Sequence, residues 1–311
     1  MAGMQACRKA FTEELLALAR QDPSIFAVTT DASGSVTLGD FKRELPRQFV
    51  EMGIAEQNAV SCGAGLSLTG LNVFVCGPAC FLSARSFEQV KVDVAYNHTN
   101  VKLIGVSGGL SYGPLGATHM TLNDIAQMRA LPGLTVLFPA DAAQMRVLTR
   151  SLAGFRGPVY VRVGRGAVPD VYTPDDTFEI GKAKHLYEGS ELTVIACGET
   201  VSHAVRAVER LRGEGRSVAL LDMFTLKPLD GQAVLDAARK TGKILTVEEH
   251  VVNGGLGAAA AQLLAEHHPV PMRILGLPDE ELAAGESQEL FPRYGIDSEE
   301  IYAAAKKLLN A

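Results

Sequence analysis

The first half of the chain alternates short strand-like runs with longer segments whose apolar residues recur every three or four positions. Strands are predicted over residues 25–30, 48–51, 71–76, 101–106, 134–138 and 159–163. Helices are predicted over residues 4–20, about 54–70, about 83–96, 122–130 and 141–152. Such alternation indicates a mostly parallel sheet with helices on both faces.

The second half repeats this pattern on a smaller scale. Apolar runs predict strands over residues 192–197, 217–222, 243–248 and 272–276, with helical patterns between them and a last helix near 298–310. Residues 166–188 carry prolines and acidic residues without periodicity, as linkers do. We therefore predict an α/β protein of two doubly wound domains, residues 1–165 and 190–311, joined by a linker over 166–189.

The composition is typical of a soluble globular protein, with 47% apolar and 21% charged residues. A net charge of −6 gives no basic surface for nucleic acid, and no apolar run is long enough to span a membrane. The start, Met1-Ala-Gly-Met4, leads into a charged amphipathic segment, so no signal peptide is expected. Five cysteines, mostly in apolar runs, predict reduced thiols and a cytoplasmic protein.

Glu56 lies in the first turn of the helix predicted from about residue 54, after Gly53. It follows the short strand 48–51, and the carboxyl ends of strands are where open α/β sheets bind ligands. Its carboxylate would complement the helix dipole in one interpretation, and would be buried against a ligand nitrogen in the other. The residues alone slightly favour the first.

A glycine-rich loop from Ser107 to His119 follows the strand 101–106. Glycines let the backbone approach a ligand closely, and a histidine at the end of such a loop serves as acid, base or hydrogen-bond donor. A histidine bonded to a backbone carbonyl is the structural alternative, which a lone histidine would favour.

The segment Gly254-Gly-Leu-Gly257 imitates a dinucleotide-binding fingerprint, because it follows a strand and opens a helix. No clear strand carries an acidic residue at the distance that such a site requires. We therefore expect these glycines to serve close packing of the helix on the sheet.

Four segments, in fixed order, resemble the C-terminal half of the transketolases. They are residues 53–58, the loop ending Gly116-Ala-Thr-His119, residues 124–136 and residues 139–142. The resemblance covers nearly the whole chain: residues 1–165 are similar to the pyrimidine-binding domain of this thiamine diphosphate-dependent family, and residues 190–311 to its C-terminal domain. The match is best with split transketolases, whose diphosphate-binding domain is a separate polypeptide.

The resemblance implies roles for three residues around the cofactor. Glu56 is similar to the glutamate that bonds the cofactor's aminopyrimidine nitrogen, and a dry, rigid site would strengthen that bond. Phe81 is similar to an aromatic residue that stacks on the pyrimidine, although without the resemblance it would be ordinary core. His119 is similar to a substrate-facing histidine that moves protons or holds a developing alkoxide.

The resemblance also implies a substrate-phosphate site. Arg8 and Arg165 are similar to arginines that bind the phosphate, a task suited to forked guanidinium groups. The alternatives are a solvated helix face for Arg8 and a salt bridge at the domain edge for Arg165. Ser35 is similar to a phosphate-contacting serine, a role that Ser33 would fit equally well, and Asp31 to an interface aspartate.

Two positions depart from the family pattern. Leu115 stands where the family commonly has an acidic residue that contacts a sugar hydroxyl, four positions before the loop histidine. Ser107 stands where sugar-phosphate enzymes often have another histidine. Both departures imply a different acceptor substrate, or a different way of holding it.

Together the resemblance implies a transferase subunit that moves a two-carbon ketol unit from a ketose to an aldose. The Gly-Asp-Gly…Asn signature for magnesium and diphosphate is absent, and Gly39-Asp40-Phe41 is the nearest stretch. The partner is therefore expected to be a diphosphate-binding N-terminal subunit that supplies the Mg²⁺ ligands, in a heterotetramer with two copies of each chain. The alternatives are an enzyme similar to deoxyxylulose-phosphate synthase or to the 2-oxoacid dehydrogenase beta chain, and a non-catalytic assembly subunit.

Overall fold

The computed structural model describes residues 4–310. Residues 1–3 and 311, at the outer ends of the two predicted domains, lie outside the described residues. The described chain is an α/β structure with a seven-stranded and a five-stranded sheet, which confirms the predicted fold class.

The strands vary from three to eight residues in length. They are β1 (Met4–Ala6), β2 (Ile25–Thr29), β3 (Phe49–Glu51), β4 (Asn72–Pro78), β5 (Val101–Val106), β6 (Thr135–Leu137), β7 (Val159–Val163), β8 (Ala167–Pro169), β9 (Lys184–Tyr187), β10 (Leu192–Ala196), β11 (Val218–Asp222), β12 (Thr225–Lys227), β13 (Ile244–Val251) and β14 (Met272–Leu277).

The helices cover the faces of these sheets. They are α1 (Cys7–Ala19), α2 (Ser33–Val36), α3 (Gly39–Glu44), α4 (Glu56–Leu68), α5 (Ala79–Ala84), α6 (Phe87–Gln89), α7 (Asp124–Arg129), α8 (Ala142–Gly154), α9 (Thr200–Gly213), α10 (Gly231–Thr241), α11 (Leu256–His267), α12 (Ser287–Arg293) and α13 (Ser298–Asn310). A π-helical segment (Val90–Tyr96) follows α6, and a short 3₁₀ turn (Gly113–Leu115) lies before α7.

The first sheet has the strand order β12-β6-β7-β5-β4-β2-β3. Its six strands from the first half of the chain all pair in parallel. Every residue of β5 and of β7 is buried, because helices cover both faces of a parallel sheet. This explains why these strands are continuous apolar runs in the sequence.

The second sheet has the order β14-β13-β10-β11-β9, with β9 antiparallel to four parallel strands. The segment that resembles a dinucleotide site lies at the end of β13. There the Glu248 carboxylate accepts the backbone N–H groups of Leu256 at 2.6 Å and Gly257 at 2.8 Å. The amino end of α11 is thus occupied by a side chain of the protein itself.

A short strand of the second half of the chain pairs with the first sheet. β12, from the second half, pairs antiparallel with β6 at the edge of the first sheet. β1 pairs with β8, and β9 joins the second sheet, so the segment 166–189 contains two strands. The domain limits given above stay a prediction.

The helix predicted over residues 83–96 is interrupted. Ser86 lies between α5 and α6, and its Oγ donates to the carbonyl of Leu82 at 2.7 Å. A hydroxyl that bonds back to the preceding turn competes with the backbone ladder and bends a helix. The chain then continues as the π-helical segment.

The carboxyl ends of the parallel strands meet at one edge of the first sheet. The segments after β2, β3, β4, β5 and β7 carry the residues singled out by the sequence, namely Asp31, Ser35, Glu56, Phe81, Ser107, His119 and Arg165. This edge is where an open α/β sheet places its ligand. Of the helices between residues 4 and 310, none has the length and apolar character to cross a membrane.

Candidate active site

Glu56 is the first residue of α4 and is 2% exposed. Its Oε2 accepts a hydrogen bond of 2.7 Å from Nη1 of Arg85, which lies just after α5. Within residues 4–310, Oε1 has no hydrogen-bond partner. The dipole interpretation alone does not account for this geometry, because the carboxylate is dry, has its own cation and keeps one oxygen open.

Phe81 connects this carboxylate to the histidine loop. The Arg85 guanidinium lies 4.7 Å from the centre of the Phe81 ring. The Phe81 ring also meets the His119 imidazole edge to face, with centroids 5.3 Å apart. Phe81 is only half-buried, so part of the ring remains available to a ligand. The structure thus brings Glu56, Phe81 and His119 to one place.

The histidine loop, residues 107–121, is closed upon itself. It opens with positive φ angles at Ser107 (62°) and Gly109 (62°), and Gly109 pairs with Thr121 across its base. The Nδ1 of His119 lies 2.9 Å from the Thr118 hydroxyl. Among the described residues, Nε2 of His119 has no hydrogen-bond partner.

Tyr112, which the sequence reasoning missed, joins the histidine to the arginines. Its ring lies edge to face with His119 at 5.8 Å, and the Arg165 guanidinium lies 4.8 Å from the ring centre. Arg165 Nη1 also donates to the Tyr112 hydroxyl at 3.3 Å. Tyr112 is the only Phe, Tyr or Trp between residues 107 and 119, and that was the available signal.

Arg8 and Arg165 lie together in a cleft of about 980 Å³ between the two halves of the chain. The Nε of Arg8 donates to the carbonyl of Arg165 at 3.2 Å, and its Nη1 donates to the carbonyl of Ser35 at 2.7 Å. Burial and the positive charge of Arg165 lower the pKa of Arg8. Within residues 4–310 no carboxylate is bonded to either guanidinium group, and two such neighbouring groups favour an anion between them.

Ser35 and Asp31 both lie in the segment that follows β2. Ser35 contacts Arg8 through its backbone carbonyl. The Asp31 side chain is exposed, and its backbone N–H donates to the Glu51 carboxylate at 2.6 Å. Asp31 is therefore placed at a free surface beside the site.

The two departures from the family pattern lie at the cleft and at its floor. Leu115 is 56% exposed and lines the cleft, although it is apolar. Ser107 is fully buried, and its Oγ lies 3.5 Å from Nη1 of Arg165. Ser107 thus contacts the arginine directly and is shielded from a ligand.

A buried charged cluster holds both ends of the histidine loop. Arg162 on β7 is fully buried, with Nη1 3.6 Å from Asp124 and Nη2 3.7 Å from Glu249. The Glu249 carboxylate accepts the Leu110 N–H at 2.6 Å, and Arg162 donates to the Thr121 carbonyl at 3.4 Å. An arginine within the apolar run 159–163 was the sequence signal for such a cluster.

The second half of the chain also holds the middle of this loop. Ser287 Oγ donates to the carbonyl of Leu110 at 3.0 Å, and the Gly285 N–H donates to the carbonyl of Gly113 at 3.2 Å. The Leu110 side chain packs in an apolar cluster with Leu290. The loop therefore depends on both sheets for its conformation.

Glu199 forms part of the wall of the cleft and is 8% exposed. Its Oε1 has no hydrogen-bond partner within residues 4–310, and a Cβ added at Gly164 would lie only 1.6 Å from it. Burial, and then the Glu249 carboxylate, raise the pKa of Glu199 to about 8, against the opposing effect of Arg162. A protonated Glu199 leaves the neighbouring Arg165 free of a competing carboxylate.

The described residues form no metal site of their own. Nowhere between residues 4 and 310 are three His, Cys, Asp or Glu side chains grouped so as to hold a metal ion. Asp40, in the stretch nearest to the diphosphate signature, forms an exposed salt bridge of 2.6 Å with Arg43. All five cysteines are free thiols.

Comparison with known proteins finds two family domains in this chain. The transketolase pyrimidine binding domain matches residues 3–171, and the transketolase C-terminal domain matches residues 181–301. One of the subunits of the apulose-4-phosphate transketolase of Phocaeicola vulgatus is 58% identical over 308 residues, which are 99% of this chain and 98% of that protein. The 6-deoxy-6-sulfo-D-fructose transketolase subunit of Clostridium sp. strain MSTE9 is 36% identical over 97% of this chain and 94% of its own length.

A solved structure shares the whole fold. A split gene transketolase, described as an inactive beta4 tetramer, superposes with a TM-score of 0.89 at 38% identity and covers 99% of each chain. Both family domains, in order, account for nearly every described residue. The chain therefore belongs to the transketolase family and carries its pyrimidine-binding and C-terminal domains.

Proposed function

We propose that this chain is the cofactor-activating subunit of a split transketolase that moves a two-carbon ketol unit from a ketose phosphate to an aldose phosphate. The observation that carries the proposal is a continuous series of contacts from the buried carboxylate to the paired arginines. The series consists of Glu56, Arg85, Phe81, His119, Tyr112, Arg165 and Arg8.

We further propose that the donor is a branched ketose 4-phosphate of the apulose 4-phosphate class. The 58% identity with a subunit named for that substrate supports this, because it extends over nearly the full length of both chains. The apolar Leu115 also supports it, since a donor with another hydroxyl pattern has no need of an acidic residue there.

The residues present fit the pyrimidine end of thiamine diphosphate. The open Oε1 of Glu56 is a hydrogen-bond partner for a ring nitrogen, and the half-exposed Phe81 ring is a stacking surface. When bound, thiamine diphosphate supplies the carbon nucleophile that attacks the ketose carbonyl. The part of Glu56 is to hold a proton at the ring nitrogen, in a dry site where such an interaction is strong.

His119 and the arginines act on the substrate. Nε2 of His119 accepts or returns the proton of the hydroxyl next to the bond that breaks, while Thr118 orients the ring through Nδ1. Arg8 and Arg165 hold the phosphate, and the two carbonyls that Arg8 bonds fix its guanidinium in place. Arg85 is a positioning residue, because it orients the Glu56 carboxylate.

The partner in this proposal is a diphosphate-binding N-terminal subunit that brings the Mg²⁺ ligands. Two copies of each chain would form the heterotetramer, in which cofactor sites lie between unlike subunits. The related split gene transketolase described as an inactive beta4 tetramer supports the idea that such a chain needs a partner for activity. The five free thiols support a place in the cytoplasm.

Reconstitution with a diphosphate-binding subunit tests the function. The pair should convert apulose 4-phosphate and an aldose phosphate acceptor to ketol-transfer products, and should not use pyruvate as donor. Glu56→Gln should lower kcat by about 100-fold or more, because the amide cannot protonate the ring nitrogen. Analytical ultracentrifugation of the Glu56→Gln pair should show the same heterotetramer as the wild-type pair.

Glu44→Gln is the matched control, since Glu44 is a surface carboxylate that pairs with Arg20 and lies on α3 away from the cleft. It should keep full activity. Equal activity of Glu56→Gln and wild type would instead favour an assembly subunit. Turnover of pyruvate in place of the ketose phosphate would favour a synthase or dehydrogenase.

A further inference from the structure

Tyr112 contacts both His119, to which the proposed function assigns the reaction, and Arg165, to which it assigns the phosphate. The His119 ring and the Arg165 guanidinium both lie within 5.8 Å of its ring centre. A ketose phosphate whose carbonyl end is at His119 and whose phosphate is at Arg165 therefore passes along the phenol.

Leu115 and Ser107 offer no polar contact to a ligand on this path. Leu115 lines the cleft without a polar atom, and Ser107 is fully buried against Arg165. Ser111 lines the cleft too, but Tyr112 is the loop side chain that contacts both the His119 ring and the Arg165 guanidinium. The phenol hydroxyl is thus the group that meets the middle of the substrate.

The hydrogen bonding of the phenol determines what it recognises. Arg165 Nη1 donates to Tyr112 Oη at 3.3 Å, so the oxygen acts as acceptor toward the arginine and its own proton remains to be donated. A carboxylate at this place would accept from a sugar hydroxyl. The phenol instead requires an oxygen that accepts, and a charged phosphate oxygen accepts more strongly than a hydroxyl does.

We propose that Tyr112 is a specificity-determining residue that donates to a phosphate oxygen of a ketose 4-phosphate. This inference rests on the proposed function. In a 4-phosphate the phosphate group lies one carbon nearer to the carbonyl than in a 5-phosphate. One phosphate oxygen then reaches the Tyr112 hydroxyl, while the other phosphate oxygens reach the Arg165 guanidinium. In a 5-phosphate the same place is taken by a neutral hydroxyl.

The test compares two donors in the reconstituted pair. For apulose 4-phosphate, Tyr112→Phe should lower kcat/KM by about 10-fold or more, since it removes a hydrogen bond to a charged group. For D-xylulose 5-phosphate, the same variant should lower kcat/KM by no more than about twofold. Tyr187→Phe is the matched control, because its hydroxyl bonds Glu209 on an exposed face far from the cleft.

The change in the ratio of the two kcat/KM values is the decisive readout. An equal loss with both donors would overturn the inference, because the phenol would then only support Arg165. An unchanged ratio with full activity would overturn it as well. Absence of ketol transfer by the wild-type pair from either donor would overturn the proposed function itself, which is a distinguishable result.

Discussion

Arg85 donates from Nη1 to Oε2 of Glu56 at 2.7 Å, although the arginine is 45% exposed and the glutamate only 2% exposed. The cation therefore reaches a buried carboxylate from the solvent side. Because Arg85 also lies over the Phe81 ring, one side chain orients both the acid and the aromatic surface. The other carboxylate oxygen has no hydrogen-bond partner within residues 4–310.

Loss of this cation should destabilise the fold. Arg85→Met removes the partner of a buried carboxylate, and the free energy of unfolding should fall by about 1–2 kcal/mol, less than for a pair buried on both sides. Urea unfolding of the isolated chain measures the difference. In a Glu56→Gln background the same change should cost less, because no charge is left unpaired. Equal costs in both backgrounds would refute an interaction between the two residues.

Arg8 should be sensitive to a change that keeps its charge. A lysine has no fork with which to hold the carbonyls of Ser35 and Arg165 while binding a phosphate. Arg8→Lys should raise KM for a phosphorylated donor by about 10-fold, and leave KM for an unphosphorylated ketose within about twofold. Steady-state kinetics of the reconstituted pair measure both. A parallel rise for both donors would show that Arg8 has only a structural role.

The hydrogen bond from Ser287 to Leu110 should stiffen the histidine loop. Ser287→Ala removes it, and the amides of residues 108–121 should exchange with solvent faster while kcat falls by about two- to fivefold. Hydrogen exchange followed by mass spectrometry, together with kinetics, tests both effects. Ser190→Ala is the control, as its hydroxyl bonds Ser217 on an exposed turn. Unchanged exchange in the loop would contradict the prediction.

The buried acid Glu199 should make stability fall as pH rises. Its pKa is raised from 4.5 to about 8, mainly by burial and then by Glu249. Between pH 4.5 and about pH 8 the folded chain holds a proton on Glu199 that the unfolded chain has lost. Each unit of rising pH in this range therefore lowers the free energy of unfolding by at most about 1.4 kcal/mol.

Glu199→Gln removes this titration, and its stability relative to wild type should rise from pH 5 to pH 8. Urea unfolding at several pH values measures the difference. The control is Glu188→Gln, because Lys240 lowers the pKa of this exposed glutamate and so keeps its titration below the window. A constant difference between Glu199→Gln and wild type across the range would refute the prediction.

Buried parallel strands were the part of the fold best predicted from sequence. Residues 159–163 were predicted as a strand and form one over the same residues, because burial on both faces requires a continuous apolar run. The strand 225–227 was missed. It has three residues, and its partner lies about 90 positions earlier in the chain, so no local pattern indicates it. Residues 4–6 form a strand where the sequence predicts the start of a helix, for the same reason, since their partner strand is at residues 167–169.

The site was predicted where family motifs cover it and missed elsewhere. Glu56 and His119 belong to such motifs, and the structure brings them near each other as expected, although their catalytic roles stay a prediction. Arg85 was missed, yet it follows Phe81 by four residues, a spacing that places two side chains on one helix face. The dependence of the loop on Glu249 was not predictable, because it arises only when the two sheets meet.

The antiparallel strand 225–227 has a consequence for any attempt to produce the first sheet as a separate module. Without residues 225–227, the strand 135–137 would become the outermost one, with unpaired N–H and carbonyl groups facing water. Exposed strand edges of this kind recruit other strands and promote self-association. A fragment that stops before the second sheet should therefore precipitate or form oligomers. The two halves of the chain thus depend on each other to fold.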